Sequence, residues 1–332
     1  METINFNVLQ DFSMFLIHNK PEQAPLLAQA IFSACYLEHG WPSPEIPHVL
    51  TTLFKELLNY EIDFENIFRI TILDVKERLP EPAQRRELIE LMTTMEMLCR
   101  PISKELQASV DQWADQLAID DRTLLLARDL SKNAQLQATL DFYRLNWIGE
   151  GDPQDDQHFK QLLSHYGDSA YALSLESNPQ ETARWAKLKD YPDASLGKEL
   201  WRFYQKRGFK LPGEIGGANA ALAHHDWVHV IANYDTTAIG ELEVTAFMAS
   251  ASRSQGAMLG FVGAVSIYET GLLKSLVTHS YQHTLSAPGG VERVSAAIMR
   301  GKNCKIDPLL GPNYFSIAHE PLEKIRLNWG LI

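Results

Sequence analysis

Apolar residues recur every three or four positions through most of this chain, and no stretch sustains the every-second-residue alternation of a strand. That period limits the fold more than any other feature. AQAIFSACYLEHG, residues 28–40, carries a helical apolar stripe and ends in Gly40, a natural helix stop. SPEIPHVLTTLFKELLNY follows, with Ser43 placed to cap and Pro44 at the first helical position. RRELIELMTTMEMLCR, SKELQASVDQWADQLAI capped by Ser103, and DRTLLLARDLSKNAQLQATLDFYRLNWI repeat the pattern. Glycine and proline sit mainly at segment ends, where they end helices without interrupting them. The expected fold class is all-α: an N-terminal helical bundle followed by an all-helical domain.

Composition narrows the partners. The formal net charge of −12 over 332 residues argues against nucleic acid, because phosphate binding needs a basic face. The three cysteines, Cys35, Cys99 and Cys304, lie far apart and form no CxxC pair, which fits a reducing cytoplasm. The first residues, METINFNVLQDFSMFLIHNK, resemble neither a secretory signal nor an Arg-rich transit peptide. No window offers about 18 consecutive apolar residues, so no transmembrane helix is expected. The expected location is cytoplasmic, with peripheral contact to a membrane open. GEGDPQDDQ, residues 149–157, is acidic and rich in turn formers, and divides the chain into 1–150 and 151–332. Within the first part, MLCRPISKELQASVDQWADQLAIDD resembles a helix pair of the TerB-like helical bundles, with Cys99-Arg100-Pro101 where those domains carry an Asp-Gly turn.

The chemistry concentrates in HHDWVHVIANYDTTAIGE, residues 224–241. On a helix, His225 and His229 are i and i+4 and share a face, so both imidazoles can reach one ion. Asp226 stands beside His225 and can ligate or orient an imidazole. His224 is turned roughly 100° from that face and is either a bystander or a group supporting the ligands from outside. Glu241 lies twelve positions past His229, which on one unbroken helix is about 18 Å away. Asn233-Tyr234-Asp235-Thr236-Thr237 is a run of turn and cap residues that can break the helix. A second helix capped at Thr237 can then return Glu241 to the histidines. Such a donor set suits zinc, with iron or manganese as alternatives. A His-Asp phosphohydrolase site would also need an upstream His and a distant Asp, for which His165 and Asp307 are the nominees. A ferritin-like di-iron site would need two Glu-x-x-His repeats, and the nearest thing is Asp226-x-x-His229.

His225-Asp226-x-x-His229, eleven residues, then Glu241 resembles the HDxxHx11E motif of the Coq-four family of ubiquinone (coenzyme Q) biosynthesis proteins. Gly240-Glu241 is similar to that family's Gly-Glu pair. Tyr191 to Glu199, YPDASLGKE, followed by Phe203, resembles its Leu-Gly segment, with Ala194 in place of a usual glycine. Arg300-Gly301-Lys302 and the tail PLEKIRLNWGL resemble its closing helix. The resemblance covers residues 173–331. It implies an all-α fold and a divalent metal, usually zinc, on His225, Asp226, His229 and Glu241. It implies action on a polyprenylated 4-hydroxybenzoate-like intermediate, an oxidative decarboxylation in which a hydroxyl replaces the ring carboxylate. It also implies that quinone-biosynthesis enzymes and a prenyl-lipid ligand are partners. Whether such a protein is a catalyst or a prenyl-lipid-binding scaffold, the residues leave open. GEIGGANA, residues 213–220, lacks the strand that a dinucleotide-binding loop requires. Val244 to Ala249 and Gly256 to Tyr268 can form either a groove for a prenyl chain or a buried helix pair. Arg253 between them can meet a headgroup, meet a carboxylate or face water.

Overall fold

The computed structural model describes residues 18–132, 138, 139, 142, 173–220, 222–275 and 278–332. Among these the architecture is all-helical, with fourteen α-helices and no strand, only isolated bridges such as Leu173 with Ala218. The acidic stretch at 149–157, the nominee His165 and the first seventeen residues lie outside the described residues.

The first six helices are α1 (Ala24–Cys35), α2 (Glu45–Leu58), α3 (Ile72–Arg78), α4 (Pro82–Glu96), α5 (Lys104–Leu117) and α6 (Arg122–Ser131). Their starts follow from short polar caps: Thr71, Ser103 and Asp121 each accept a backbone N–H of the first turn. α1 stops at Cys35, ahead of Gly40, which takes a left-handed φ of 99° in the following turn. α2 starts at Glu45, so Pro44 occupies the cap and not the first turn. α4 runs through the middle of this bundle and buries Glu87, Glu90 and Glu96 along with its apolar residues. Buried carboxylates need partners. The Arg128 guanidinium donates to both oxygens of Glu96 at 2.6 and 3.1 Å, and to Asp111 at 2.6 Å.

The second half contains α7 (Pro179–Ala186), α8 (Leu196–Arg207), α9 (His224–Ala232), α10 (Ala238–Ala251), α11 (Gln255–Val265), α12 (Gly290–Lys302), α13 (Tyr314–Ile317) and α14 (Leu322–Trp329). α10 is its axis. It packs along α12, meets α11 on another side and α9 at its start. Close approach to α12 is possible because Gly301 has no side chain; a Cβ there would lie 2.4 Å from the Phe247 carbonyl oxygen. Val244 to Ala249 and the apolar residues of α11 are buried, which makes them a core helix pair. Arg253 is exposed, and its backbone N–H donates to Asp307 at 2.8 Å. α11 also packs on α4 and α6, and α12 packs on α2, so one contiguous apolar cluster joins both halves. No helix among the described residues is long and apolar enough to cross a membrane.

Candidate metal centre

α9 is positioned by its two sides. On one side Trp227 stacks on Tyr314 with ring centroids 5.4 Å apart, and Trp185 and Phe315 close the same aromatic cluster. Such rings bury large apolar areas in fixed orientations, which locks the helix about its axis. His224 lies on this side too, edge-on to Tyr314 at 4.8 Å, and takes no part in the donor group. Burial, reinforced by the neighbouring His225, pushes the His224 imidazolium down to about 4, so this ring is neutral near pH 7. The C-terminal carbonyls of α9 are held by two arginines: Arg326 donates to Val230 and Ile231, and Arg300 donates to Ala232. Cations at a helix C-terminus complement its dipole.

The turn after α9 brings Glu241 back. Asn233 takes a left-handed φ of 61°, and the Tyr234 N–H donates to the His229 carbonyl at 3.1 Å, which ends the helix. Asp235 accepts from the Thr237 N–H, and Thr237 caps α10 by accepting from the Gly240 N–H. Gly240 is required because the turn folds tightly against it; a Cβ would lie 2.2 Å from the Asp235 carbonyl oxygen. Glu241 then sits in the first turn of α10, facing the histidines.

The donors converge. Glu241 Oε2 is 3.7 Å from His225 Nε2, and Oε1 is 3.4 Å from His229 Nε2. One donor from each of His225, His229 and Glu241 lies within 4.8 Å of the others, the group among the described residues able to share an ion. Donors on a tetrahedron with bonds of about 2.0–2.1 Å are about 3.4 Å apart, so small inward movement completes the fit. Both imidazoles are pre-oriented. His225 Nδ1 is 2.5 Å from the Leu222 carbonyl, and His229 Nδ1 is 3.3 Å from the Tyr234 carbonyl. A carbonyl only accepts, so Nδ1 carries the proton on each ring and Nε2 is left for an ion. His229 Nε2 is fully buried and has no hydrogen-bond partner, an expensive arrangement unless a cation meets it. These residues therefore fit a divalent metal.

Asp226 stands beside this group. Its Oδ1 is 3.7 Å from His225 Nε2, while its Oδ2 accepts from the Tyr204 hydroxyl at 2.5 Å. Electrostatics bind the cluster without metal. Burial opposes charge on His225, but Asp226 and Glu241 outweigh it and raise the imidazolium to about 9. Burial likewise opposes charge on Glu241, and His229 and His225 outweigh it, holding the carboxyl well below its usual range. Burial dominates at Asp226 and raises its carboxyl, against the pull of the two histidines and Tyr204.

A cavity of about 440 Å³ opens onto the group. Tyr204, Phe209, Leu222 and Tyr268 give it aromatic and apolar walls, Lys210 lies at its rim, and His225, Asp226 and Glu241 form its floor. The glycine-rich segment 213–220 is part of that rim, with Gly216 and Gly217 lining the opening. Tyr204, Phe209 and Tyr268 carry no sign of this site in the sequence; Phe203, which follows the segment resembling the family's Leu-Gly stretch, packs its ring 5.7 Å from His229. Asp307, the nominee for a phosphohydrolase site, is occupied in its own turn, accepting from Leu309 and Leu310 N–H groups.

No protein-family profile and no curated protein matches this chain. Among solved structures it is similar to a protein of Nostoc punctiforme PCC 73102 provisionally described as a ubiquinone biosynthesis protein. The match has 16% identity and a TM-score of 0.31, and covers 73% of this chain and 96% of that one. Likeness at that level assigns no residue roles.

Proposed function

We propose that this chain is a metal-dependent protein of prenylquinone biosynthesis that acts on a polyprenylated 4-hydroxybenzoate-like intermediate. The observation that carries the reading is the convergence of His225, His229 and Glu241 from a motif resembling HDxxHx11E, at the floor of a largely apolar cavity. The donor set of two imidazoles and a carboxylate suits zinc first. Bound there, the ion would act as a Lewis acid on a carboxylate or phenol oxygen. The protein's own part is to hold the ring. Tyr204, Leu222 and Tyr268 offer faces to an aromatic group, and Lys210 offers a cation at the rim. The cavity accommodates a ring and the start of a tail, so a polyprenyl chain would leave past Phe209. Phe209 is 42% exposed and Ile215 is 60% exposed beside that opening, which supports peripheral contact with a membrane holding the lipid. Replacing the ring carboxylate by hydroxyl releases CO2 and is a two-electron oxidation; with water supplying the hydroxyl, dioxygen would take up the two electrons and two protons and leave as hydrogen peroxide.

A second reading is a non-catalytic prenyl-lipid scaffold that organises quinone-pathway enzymes, with the ion as a structural pin. The complete burial of the His229 side chain favours it. The deciding experiment measures metal by mass spectrometry in full-length protein and in Glu241→Ala, followed by assay with prenylated hydroxybenzoate under air. About one divalent ion per chain, lost in the variant, together with CO2 release supports the enzyme. Stoichiometric metal with lipid binding and no turnover supports the scaffold. A metal-free wild type prepared without chelator refutes both.

A further inference from the structure

The resemblance makes Asp226 a fourth ligand, but the surroundings of its carboxylate point elsewhere. One oxygen accepts a 2.5 Å hydrogen bond from Tyr204, on a different helix. Tyr204 is 1% exposed, and its ring packs against Trp185 at 5.5 Å and Phe209 at 5.8 Å, so the hydroxyl cannot follow a moving carboxylate. The other oxygen sits 3.7 Å from His225 Nε2, yet Asp226 is not among the donors that all lie within 4.8 Å of one another. Adjacent residues on a helix point in directions about 100° apart, which works against both His225 and Asp226 reaching one ion. The cavity touches His225, Asp226 and Glu241, and His229 is fully buried beside them.

We infer that Tyr204 is a positioning residue that ties Asp226 to the cavity wall, so that an ion at this centre has three protein donors and keeps a position for an oxygen ligand from the cavity. The inference rests on the metal-dependent reading above and sharpens it, because a centre with three protein donors is the catalytic kind and a closed one is structural. Asp226 then faces the incoming oxygen from beside the ion, 3.7 Å from His225 Nε2. Its loss is the loss of an outer partner and not of a ligand.

Full-length protein loaded with Co(II) tests this through stoichiometry, affinity and the visible spectrum, with helicity by circular dichroism as the check on folding. Asp226→Asn is expected to keep one ion per chain and the wild-type spectrum, with affinity reduced about 10–100-fold. Glu241→Gln is expected to lose the ion. Tyr204→Phe frees the carboxylate to move onto the ion, so its spectrum should change, and Tyr204→Phe/Asp226→Asn should match Asp226→Asn. Loss of metal in Asp226→Asn as complete as in Glu241→Gln overturns the inference and leaves the metal-dependent reading standing. An unchanged Tyr204→Phe spectrum overturns the role of Tyr204. A wild type that binds no Co(II) overturns the metal-dependent reading itself. Should Tyr204→Phe fail to fold, Asp226→Asn alone decides whether the carboxylate is a ligand.

Discussion

At the scale of single residues, the centre is a set of charges held together before any ion arrives. His225 is raised from 6.5 to about 9, so the folded protein binds that proton more tightly than the unfolded chain does. The resulting stabilisation is complete below pH 6.5 and is lost as pH climbs through 9. Glu241 is shifted the opposite way, so its contribution is present above its ordinary 4.5 and disappears only in stronger acid. Chelator-stripped protein should therefore show a falling thermal midpoint between pH 6.5 and 9, a slope that Glu241→Gln flattens. Metal affinity should rise over the same window, since the ion displaces the His225 proton; titration of the stripped protein at several pH values checks both. Ala194 supplies a second residue-level test. It sits just before the Ser195 cap with a left-handed φ of 63°, where a Cβ is crowded. Ala194→Gly should raise stability by about 1 kcal/mol, the relief of left-handed strain less the greater freedom of glycine in the unfolded chain. A denaturant midpoint at or below wild type counts against it.

At the scale of elements, the decisive feature is the short turn between α9 and α10. Neither helix makes a site alone: α9 brings two imidazoles and α10 one carboxylate. The turn is closed by the Asn233 backbone, the Asp235–Thr237 hydrogen bonds and the bare Cα of Gly240. Gly240→Ala would drive a methyl group into the Asp235 backbone, which must move and take the start of α10 with it. Overpacking of this kind costs about 1–3 kcal/mol. The variant should also bind metal more weakly than wild type, measurable by competition with a chromogenic chelator. Normal affinity would mean that the turn does not set the position of Glu241. α10 is braced against α12 in its second turn, where Glu243 pairs with Arg293 at 2.6 and 2.9 Å.

At the scale of the whole molecule, the two halves of the chain share one core. α11 lies on α4 and α6, α12 lies on α2, and the Arg100 guanidinium donates to the Thr270 carbonyl across the same boundary. The N-terminal helices thus cover apolar faces of α11 and α12. A fragment starting at residue 173 would expose those faces, and exposed patches of this kind drive aggregation. It should unfold with low cooperativity or bind a hydrophobic dye, while the full chain gives one calorimetric transition. A soluble fragment with a sharp transition would show that the second half is stable without the first.

Much of this was legible in the residues. Period, caps and breakers specify helices because those signals are local: Ser103 and Thr237 cap the helices that their neighbours begin. The i, i+4 histidines and the turn before Glu241 were legible for the same reason. Side-chain direction on a helix follows from spacing, and Asn-Tyr-Asp-Thr-Thr has no better use than a turn. Tyr204 and Tyr268 were not legible, because they reach the cavity from helices far along the chain, and an ordinary tyrosine carries no local sign of its partner. Nor did the Asp226 side chain show which way its oxygens turn, since that depends on a hydroxyl 22 residues earlier. Helices, caps and the pairing of histidines are thus consequences of sequence alone. Which groups share the centre, what lines the cavity and how the two halves join are settled only by packing, because contacts between distant segments carry no period in the chain.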